Sequence, residues 1–424
     1  MKTRKSILLG VIFSGLACLT GMVSCNTQPT EEQAQAALEK KGGMVVTLDT
    51  DVPSLIDALS DHSQDPIYLE AMQAAEQIQS DEDFISRFIF CYQTLNPDAS
   101  LYPVFSYSLR DRLCGGMSNQ EVEAALREEV QKAITNSHYV LQARLDRFGA
   151  KKAFVKVDDE NRIIAIIPEV QEPERVRRLL QSDGRLGFWA TYEMSELLPR
   201  LAQINREFAA AQQDEVEEVA EAVNDAALRA EYIKHNPLFG ILNPCVYANG
   251  EAMSGPAVGS VHFADTARVR AMLTSEAAKR ILPADVRFVW TAKPEREGMP
   301  YYNLIALKAM RNGRVALEGD IIIGAKATHN KWSPEPVIDL EMNQEGARCW
   351  QHLTRDNIGK SIAIVVNGLV YSYPRVMCEI ECGKSQITGS FTEEEAADMA
   401  NLLNSGVMPC PVRIVEEQII ESQK

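Results

Sequence analysis

Cysteine and histidine, the residue types that most often do chemistry in proteins, are scattered along this chain of 424 residues. Seven cysteines follow Cys25, so at least one of them stays outside any intramolecular disulfide. Neither they nor the six histidines have the spacing of a zinc site. The sequence also lacks a Gly-x-Ser-x-Gly motif and a Cys/His nucleophile signature. We therefore predict a protein that is not an enzyme and has no catalytic residues, metal or cofactor. Most of the cysteines are expected to be small buried hydrophobic residues.

The N-terminal 25 residues have the pattern of a secretory lipoprotein signal. Basic residues precede an apolar stretch from Ile7 to Val23, which Cys25 follows after a serine. A small residue before cysteine at this place resembles the bacterial lipobox, so Cys25 is the predicted lipid attachment site. Cys18 is a rival cleavage site, and an uncleaved anchor helix is a third alternative. All three place the body of the protein beyond the inner membrane, because the basic end stays inside.

The acidic balance of the chain excludes several classes of partner. The formal charge is −16, and without Lys2, Arg4 and Lys5 of the leader it becomes −19. A protein that binds a nucleic-acid backbone needs a basic surface, as does one that docks on anionic lipid by charge. After residue 24 no apolar run approaches the ~20 residues of a membrane-spanning helix. We therefore predict no nucleic-acid partner and exclude a multi-pass membrane protein.

The first half of the chain has the element order of a known domain type. The predicted elements are a strand at 43–50, a helix from the Ser118-x-x-Glu121 capping box to Gly149, strands at 153–157 and 162–167, a helix at 172–181 and a strand at 185–192. Apart from a helical insertion at 51–116, this is the β-α-β-β-α-β order of a ferredoxin-like domain.

The second half predicts a separate α+β unit after an acidic helical stretch at 194–235. Its predicted elements are a helix at 265–282, strands near 286–291 and 301–310, a helix at 344–355, strands at 361–366, 369–373, 375–380 and 385–388, a helix capped by Thr392-x-x-Glu395, and a strand at 412–420. Asn367-Gly368 is the strongest short hairpin signal in the chain. The last strand returns after a large excursion and could rejoin the first sheet.

Long segments of the sequence resemble the large periplasmic domain of SecD, the accessory subunit of the Sec translocase. The first is VLQARLDRFGAKKAFVKV followed by NRIIAIIPEVQEPERVRRLLQSDGRLGFW. The others are EMNQEGARCWQHLTRDNIGKSIAIVVNGLVYSYPRVMCEI and SQITGSFTEEEAADMANLLNSGVMPCPVRIVEEQII. They occur in the family's order. The resemblance covers about 40–421, with insertions at 51–116 and 194–240 that look like those of the fused SecD–SecF type.

The resemblance implies an α+β protein with a ferredoxin-like base, an inserted α+β head and extra helical insertions. The implied division is a signal peptide at 1–25, a tether at 26–40, the base at 41–193 with its insertion at 51–116, a helical arm at 194–254, the head at 255–390 and a return to the base at 391–424. These boundaries agree with the element order that the periodicity predicts.

In this family the head is thought to capture exported polypeptide, while a proton-conducting membrane region drives its movement. Here a lipobox-like leader replaces the first of six membrane helices, and the chain ends at Lys424, where the second should begin. Proton coupling needs ionisable residues within membrane helices. We therefore expect an accessory factor of Sec-dependent export that binds translocating polypeptide or the translocon at the periplasmic face, without proton coupling of its own.

The expected partners are unfolded exported polypeptides, and the Sec translocon or a full-length SecD–SecF complex. The expected location is the cell envelope, facing the periplasm, with a lipid anchor in a membrane. The alternative hypothesis is a non-enzymatic envelope lipoprotein that reuses the SecD-like fold as a structural or regulatory interaction module, since a fold does not fix a function.

The candidate polypeptide-binding residues lie in the predicted head, at Asn367, Gly368, Tyr371, Ser372 and Pro374. Tyr371, Ser372 and Pro374 match the family motif, whereas Asn367 stands where the family usually has aspartate. Each residue also has a structural explanation. A type I′ turn accounts for Asn367-Gly368, and sheet packing followed by a strand end accounts for the other three.

Overall fold

The computed structural model describes residues 29–213, 231–329 and 335–422, apart from single positions 81, 111, 114, 116, 151, 297, 311 and 312. The predicted lipid attachment site, Cys25, lies outside the described residues. Within those ranges, no helix combines the length and apolar character needed to cross a bilayer. Helices and three separate sheets make up the fold, which confirms the predicted α+β class.

The helices and strands alternate irregularly along the chain. The helices are α1 (Glu31–Lys41), α2 (Val52–Leu59), α3 (Pro66–Gln77), α4 (Phe84–Leu95), α5 (Tyr102–Phe105), α6 (Asn119–Phe148), α7 (Pro173–Gln181), α8 (Met194–Gln213), α9 (Thr266–Thr274), α10 (Glu276–Ile281), α11 (Gln344–Asp356) and α12 (Glu393–Ser405). The strands are β1 (Gly43–Thr50), β2 (Phe154–Val157), β3 (Ile163–Pro168), β4 (Leu186–Thr191), β5 (Asn243–Pro244), β6 (Ala257–His262), β7 (Val286–Trp290), β8 (Tyr301–Lys308), β9 (Leu317–Glu318), β10 (Ile322–His329), β11 (Pro336–Met342), β12 (Ile362–Val366), β13 (Leu369–Ser372), β14 (Lys384–Ile387) and β15 (Val412–Ile420).

The first sheet is antiparallel, with strand order β15-β1-β3-β2. This is the order of a ferredoxin-like sheet when β15 is counted as its fourth strand. The predicted return of the last strand to the first sheet is therefore confirmed. Gly43 is required where the strands meet, because a Cβ there would lie 2.3 Å from the carbonyl oxygen of Ile167.

The strand predicted at 185–192 exists as β4, but its predicted place in the base sheet was wrong. β4 pairs with β12 through residues 186–190 and 362–366, in an eight-stranded sheet. The edge of β1 that β4 was expected to occupy is instead paired along its full length with β15. The sequence pattern identified a strand correctly, but alternation does not specify which strand it pairs with.

The segment predicted as a flexible tether, 26–40, is helical from Glu31 onward. Thr30 and Gln33 form a capping box at the start of α1. Ala34 and Leu38 are buried against Ile166 of β3. The prediction failed because only two apolar positions anchor this helix, too few for a clear amphipathic pattern.

The predicted helical insertion at 51–116 is confirmed as α2 to α5, which share a core with the first half of α6. Tyr68, Phe88 and Phe105 are fully buried there and meet mostly edge to face, at centroid distances of 5.7–6.4 Å. The capping boxes predicted at Ser118 and Thr392 are both present. Local signals therefore located these helix ends correctly.

The second sheet has strand order β13-β12-β4-β8-β6-β5, with β7 on β8 and β9 on β4. A bridge between Thr291, just after β7, and Val370 in β13 joins two distant parts of this sheet. The predicted helical arm is not separate, because Leu197 and Leu201 of α8 are buried with Val258 and Val269 in one core. Their spacing places them on one helix face.

Two predictions for the second half need correction. The helix expected at 265–282 is interrupted at Ser275, whose hydroxyl accepts the backbone N–H of Ala278 and caps a new helix, α10. Residues 375–380 do not form a strand, and β14 pairs with β11 instead. The third sheet is β10-β11-β14, and β11 was missed although its residues 338–342 alternate between apolar and acidic side chains.

Candidate functional site

The hairpin of β12 and β13 is confirmed, with Asn367 and Gly368 at its turn. Their φ angles are 51° and 75°, the left-handed values that a type I′ turn requires at both central positions. We call residues 362–372 the Asn367 hairpin. A Cβ at Gly368 would meet nothing within 4 Å, so the glycine serves the backbone conformation and not close packing.

The tip of the Asn367 hairpin is tied to the segment between α7 and β4. The Asn367 N–H donates to the Arg185 carbonyl at 3.0 Å, and the Arg185 N–H donates to Asn367 Oδ1 at 3.2 Å. Asn367 Nδ2 also donates to Ser182 Oγ at 2.5 Å. The asparagine uses its main chain and both ends of its amide within the protein. Its hydrogen-bonding groups are thus committed to holding the hairpin.

Arg144 of α6, which is fully buried, also contacts the segment between α7 and β4. Its guanidinium donates to the carbonyl oxygens of Leu179 and Gly406, each at 3.3 Å, and to that of Ser182. Burial lowers the pKa of Arg144 to about 10. Three carbonyls from the ends of two helices therefore converge on one side chain, where the chain leaves the base and where it returns.

The remaining predicted site residues lie along the strand that leaves the hairpin. The ring of Tyr371 stacks on Phe391 at 6.4 Å, and burial raises the pKa of its phenol. Ser372 pairs with Ile364 in the sheet. The Pro374 carbonyl accepts the N–H of Ile362 at 3.1 Å. Only Pro374, among the five predicted residues, also lines the open groove on the adjacent surface.

This groove of about 880 Å³ lies between the third sheet and the layer formed by α11, β12 and residues 374–380. We call it the head groove. Its apolar lining is formed by Leu340, Trp350, Ile362, Ile364, Val376 and Ile380. Charged residues of both signs also line it, namely Lys326, Asp339, Glu341, Arg375 and Lys384. The lining is apolar with a mixed-charge rim, which suits polypeptide better than a single small ion.

Two side chains of α11 shape the groove. Trp350 is 4% exposed, and its ring packs at 4.8 Å on Phe188 of β4. The Thr354 hydroxyl donates to the Trp350 carbonyl and accepts the N–H of Ile380 at 3.0 Å. The irregular segment 374–380 is thereby fixed as one wall. A strand was predicted in this segment, but Val376 makes main-chain hydrogen bonds with Lys360 and Gly359, and Ile380 bonds the Thr354 side chain, rather than β14.

The two edges of the third sheet differ in accessibility. On β10, Asn404 of α12 occupies the edge, because its amide accepts the N–H of Ala325 at 2.9 Å and donates to the Ala325 carbonyl at 2.6 Å. On β14, the strand pairs with β11 and with no other described strand. Consecutive residues 384–386 all line the groove. Residues 324–326 of β10 and 339–341 of β11 line the groove as well, so it crosses all three strands of this sheet and includes the edge strand β14.

The sequence analysis missed the groove, because its walls come from distant parts of the chain. Met377 gave no signal in the sequence, because it stands between Val376 and Cys378, yet its 80% exposure is the highest of the large hydrophobic side chains described. Cys378 beside it also lines the groove and is exposed. The expectation that most cysteines are buried was wrong. Of the six described, Cys91 and Cys410 alone are buried.

The described residues contain no group of three or more His, Cys, Asp or Glu side chains placed to hold a metal ion. The arrangement of the head groove is that of a binding surface, with apolar walls, an available strand edge and mixed charges. It contains no paired nucleophile and base among the residues that line it.

Two family models match separate stretches of this chain. The model described as "SecDF, P1 head subdomain" matches residues 300–410. The model described as "Protein translocase subunit SecDF, P1 domain, N-terminal" matches residues 134–193. The first stretch contains the head groove and the Asn367 hairpin. The second contains the end of α6, strands β2 and β3, α7 and β4.

Two relatives share the name "Protein translocase subunit SecD". The protein from Rhodothermus marinus is 33% identical over 405 residues, which cover 92% of this chain and 63% of the relative. The protein from Syntrophobacter fumaroxidans is 24% identical over 294 residues, covering 69% of this chain and 40% of the relative. The chain therefore spans less than two thirds of the length of these relatives.

A solved structure described as "Structure and function of a membrane component SecDF that enhances protein export" is also similar. It is 21% identical, with a TM-score of 0.36, and the match covers 67% of this chain and 92% of that one. A second, "Crystal structure of SecDF in Super-membrane-facing form", is 18% identical with a TM-score of 0.39 and covers 90% of this chain and 31% of that chain.

Proposed function

We propose that this chain is an accessory factor of Sec-dependent protein export, because residues 134–193 match the model of the SecDF P1 N-terminal domain and residues 300–410 match that of the P1 head subdomain. In this proposal the head groove binds unfolded polypeptide as it emerges from the translocon. The observation that carries the proposal is the open apolar groove within the residues that match the head.

The apolar walls would supply most of the binding energy. Fully burying one Leu- or Met-sized side chain contributes about 1.5–3 kcal/mol. Leu340, Ile362 and Ile364 form a floor for such a side chain, and Met377 stands exposed at the rim. A ligand with apolar side chains at intervals is what an unfolded polypeptide offers. A folded protein keeps most of these side chains in its own core.

The free edge of β14 would hold the main chain of the ligand. Met342 donates its N–H to the Gly383 carbonyl, which fixes which residues of β14 face β11. By the alternation of an antiparallel ladder, the N–H of Gln386, a residue that lines the groove, then points away from β11. An added strand gains main-chain hydrogen bonds whatever its sequence. This suits a site that receives many different exported proteins.

The charged rim favours tolerance of sequence over tight selection. Lys326, Arg375 and Lys384 carry positive charge there, and Asp339 and Glu341 carry negative charge. Asp339 is already engaged, since Gln386 and Thr328 both donate to its carboxylate. A rim with both signs attracts neither strongly acidic nor strongly basic segments. Modest affinity is required here, because a tight site would stall the moving chain, whereas weak capture is enough to hinder backsliding without any fuel.

We further propose that the protein faces the periplasm, held at a membrane through lipid on Cys25, and that it works beside the Sec translocon or a full-length SecD–SecF complex. Such a location would keep the groove near the translocon exit. A tethered site meets its ligand at a raised effective concentration, so modest intrinsic affinity is enough.

Site-specific photo-cross-linking in secreting cells tests this function. A photoreactive residue would replace Met377 in the groove, Leu369 in the Asn367 hairpin or Ile419 on the base. All three side chains are exposed, at 80%, 40% and 56%. We expect exported polypeptides to cross-link mainly through position 377, and the cross-links to disappear when export is blocked.

The other two positions are matched controls for random collision. Equal yields of exported polypeptide at all three would contradict groove binding. Capture of one unrelated envelope protein at 377, unchanged when export is blocked, would favour the alternative function as a structural or regulatory lipoprotein.

A further inference from the structure

A second groove lies on the second sheet at β7 and β8, against α9 and α10. It has a volume of about 750 Å³. Leu273, Leu282, Trp290 and Leu304 form its wall, and all four are buried. We call it the basic pocket, because its charged lining residues are Arg270, Lys279 and Arg287.

The segment that forms most of the basic pocket has a positive net charge, opposite to that of the whole chain. The whole chain carries −16, but residues 266–290 hold five basic residues and two acidic ones. Both acidic residues are occupied. Glu276 pairs with Lys279 at 2.8 Å, and Asp285 accepts the hydroxyl of Tyr192 at 2.6 Å. Neither carboxylate is among the residues that line the pocket.

The two arginines lack an acidic partner of their own. Neither Arg270 nor Arg287 forms an ion pair with any described residue. Arg287, which lines the pocket, donates instead to the carbonyls of Ala284 at 3.1 Å and Val286 at 2.8 Å, which fix the position of its guanidinium. A guanidinium held in place without a carboxylate is well suited to receive a carboxylate or phosphate from outside.

We propose that the basic pocket binds an anionic amphiphile. The hydrocarbon chain would lie against Leu273, Leu282 and Trp290, and the carboxylate or phosphate would meet Arg270 and Arg287. The volume falls within the range of about 300–1,000 Å³ that is usual for small-molecule sites. Charge and apolar surface are complementary to the two ends of such a molecule. The proposal is independent of polypeptide binding in the head groove, since the two grooves share no lining residue.

Calorimetric titration with sodium dodecanoate, below its micelle concentration, tests the site on the purified chain. Dodecyltrimethylammonium has the same tail and the opposite charge, and serves as the matched ligand. We expect saturable binding of dodecanoate and none of the cation. Trp290 emission should change on binding, because the indole lines the pocket.

The matched protein variants are R270Q/R287Q and R268Q/R280Q. Both pairs remove two positive charges from the same region, but only the first pair lines the pocket. Loss of charge-assisted hydrogen bonds predicts that R270Q/R287Q weakens dodecanoate binding at least about tenfold. R268Q/R280Q should change it by less than about twofold, because distant charges are largely screened by salt.

A second arm distinguishes the source of the anion. Vesicles of phosphatidylglycerol and of phosphatidylcholine are added to wild type and to both variants. Retention on phosphatidylglycerol alone, lost in R270Q/R287Q, would extend the site to phospholipid headgroups. Absence of binding to both dodecanoate and phosphatidylglycerol, or equal loss in the two double variants, would overturn the proposal. Binding of an acidic peptide by the same arginines, with no dodecanoate binding, would overturn it also.

Discussion

The Asn367 hairpin and the head groove share strand β12, yet one is closed by the protein and the other is open. At the hairpin, Asn367 is bonded to Arg185 and Ser182. In the groove, Met377 is 80% exposed and the edge of β14 pairs with no other described strand. The residues that match the family motif build the head, and the surface suited to a ligand lies beside them. A motif match therefore identifies what the fold requires, which need not be what touches the partner.

The largest expected effect is on the closed side, at Arg144. Replacing Arg144 with methionine leaves three carbonyl oxygens without their buried donor. Each unsatisfied buried group costs about 1–3 kcal/mol. We expect R144M to lower the free energy of unfolding by about 3 kcal/mol or more, measured by urea denaturation. R147M is the control, because Arg147 makes an exposed contact with Ser405, and it should change stability by less than about 0.5 kcal/mol. Equal stability of R144M and wild type would contradict a structural role for the buried hydrogen bonds of Arg144.

Asn367 should behave as a structural residue. N367A removes two side-chain hydrogen bonds. It also replaces asparagine, which tolerates the left-handed backbone conformation at this position, with a residue that does not. The expected loss of unfolding free energy is about 1–2 kcal/mol. N249A is the control, because Asn249 bonds only within its own exposed turn. If N367A left stability unchanged but abolished polypeptide binding, the hairpin and not the groove would be the binding site.

The strand edge of β14 can be tested at one backbone atom. Proline at position 386 removes an N–H that points away from β11, so the pairing with β11 is kept. We expect Q386P to weaken binding of an unfolded polypeptide about fivefold, measured by fluorescence anisotropy, since one hydrogen bond contributes about 1 kcal/mol. Q386A keeps the N–H and loses the same side chain, which bonds Asp339. Equal affinities of the two variants would exclude strand addition at this edge.

The smallest expected effect concerns the ion pair that joins α7 to β15. Arg177 donates to both carboxylate oxygens of Glu417, at 2.5 and 2.6 Å, and holds the pKa of Glu417 below its usual value of 4.5. The stabilisation is therefore present above about pH 4.5 and is lost as the pH falls through the lowered pKa. E417Q should lose about 0.5 kcal/mol at pH 7 and match wild type in acid. E416Q is the neighbouring control. A difference from wild type that persists in acid would point to packing instead of charge.

Local signals in the sequence were reliable, and non-local ones were not. The capping boxes at Ser118 and Thr392 and the Asn367-Gly368 turn were predicted because each is formed within a few residues. The return of β15 to the base was also predicted. The pairing of β4 with β12 was not, because the partners are far apart in the sequence, from Ala190 with Ile362 to Leu186 with Val366, and alternation carries no partner identity. The head groove was not predicted either, because residues that are distant in the sequence line it.

Two features that the sequence analysis did not predict, strand β11 and the helix start at Ser275, do have local sequence signals. Residues 338–342 of β11 alternate between apolar and acidic side chains. This is the pattern of a strand with one buried face. Ser275 followed by Glu276 is a signal for a helix start inside the single helix predicted at 265–282. No comparable local signal marks the basic pocket, because the whole-chain charge hides the reversal at 266–290.

The central claim is that the head groove, and not the Asn367 hairpin, binds unfolded polypeptide. The direct measurement is the affinity of a permanently unfolded, fluorescently labelled polypeptide for wild type, M377D and N367A, each confirmed to be folded. Losing one apolar contact and adding a charge predicts about tenfold weaker binding for M377D. The account predicts that N367A stays within about twofold of wild type. Normal binding by M377D, together with lost binding by folded N367A, would contradict it.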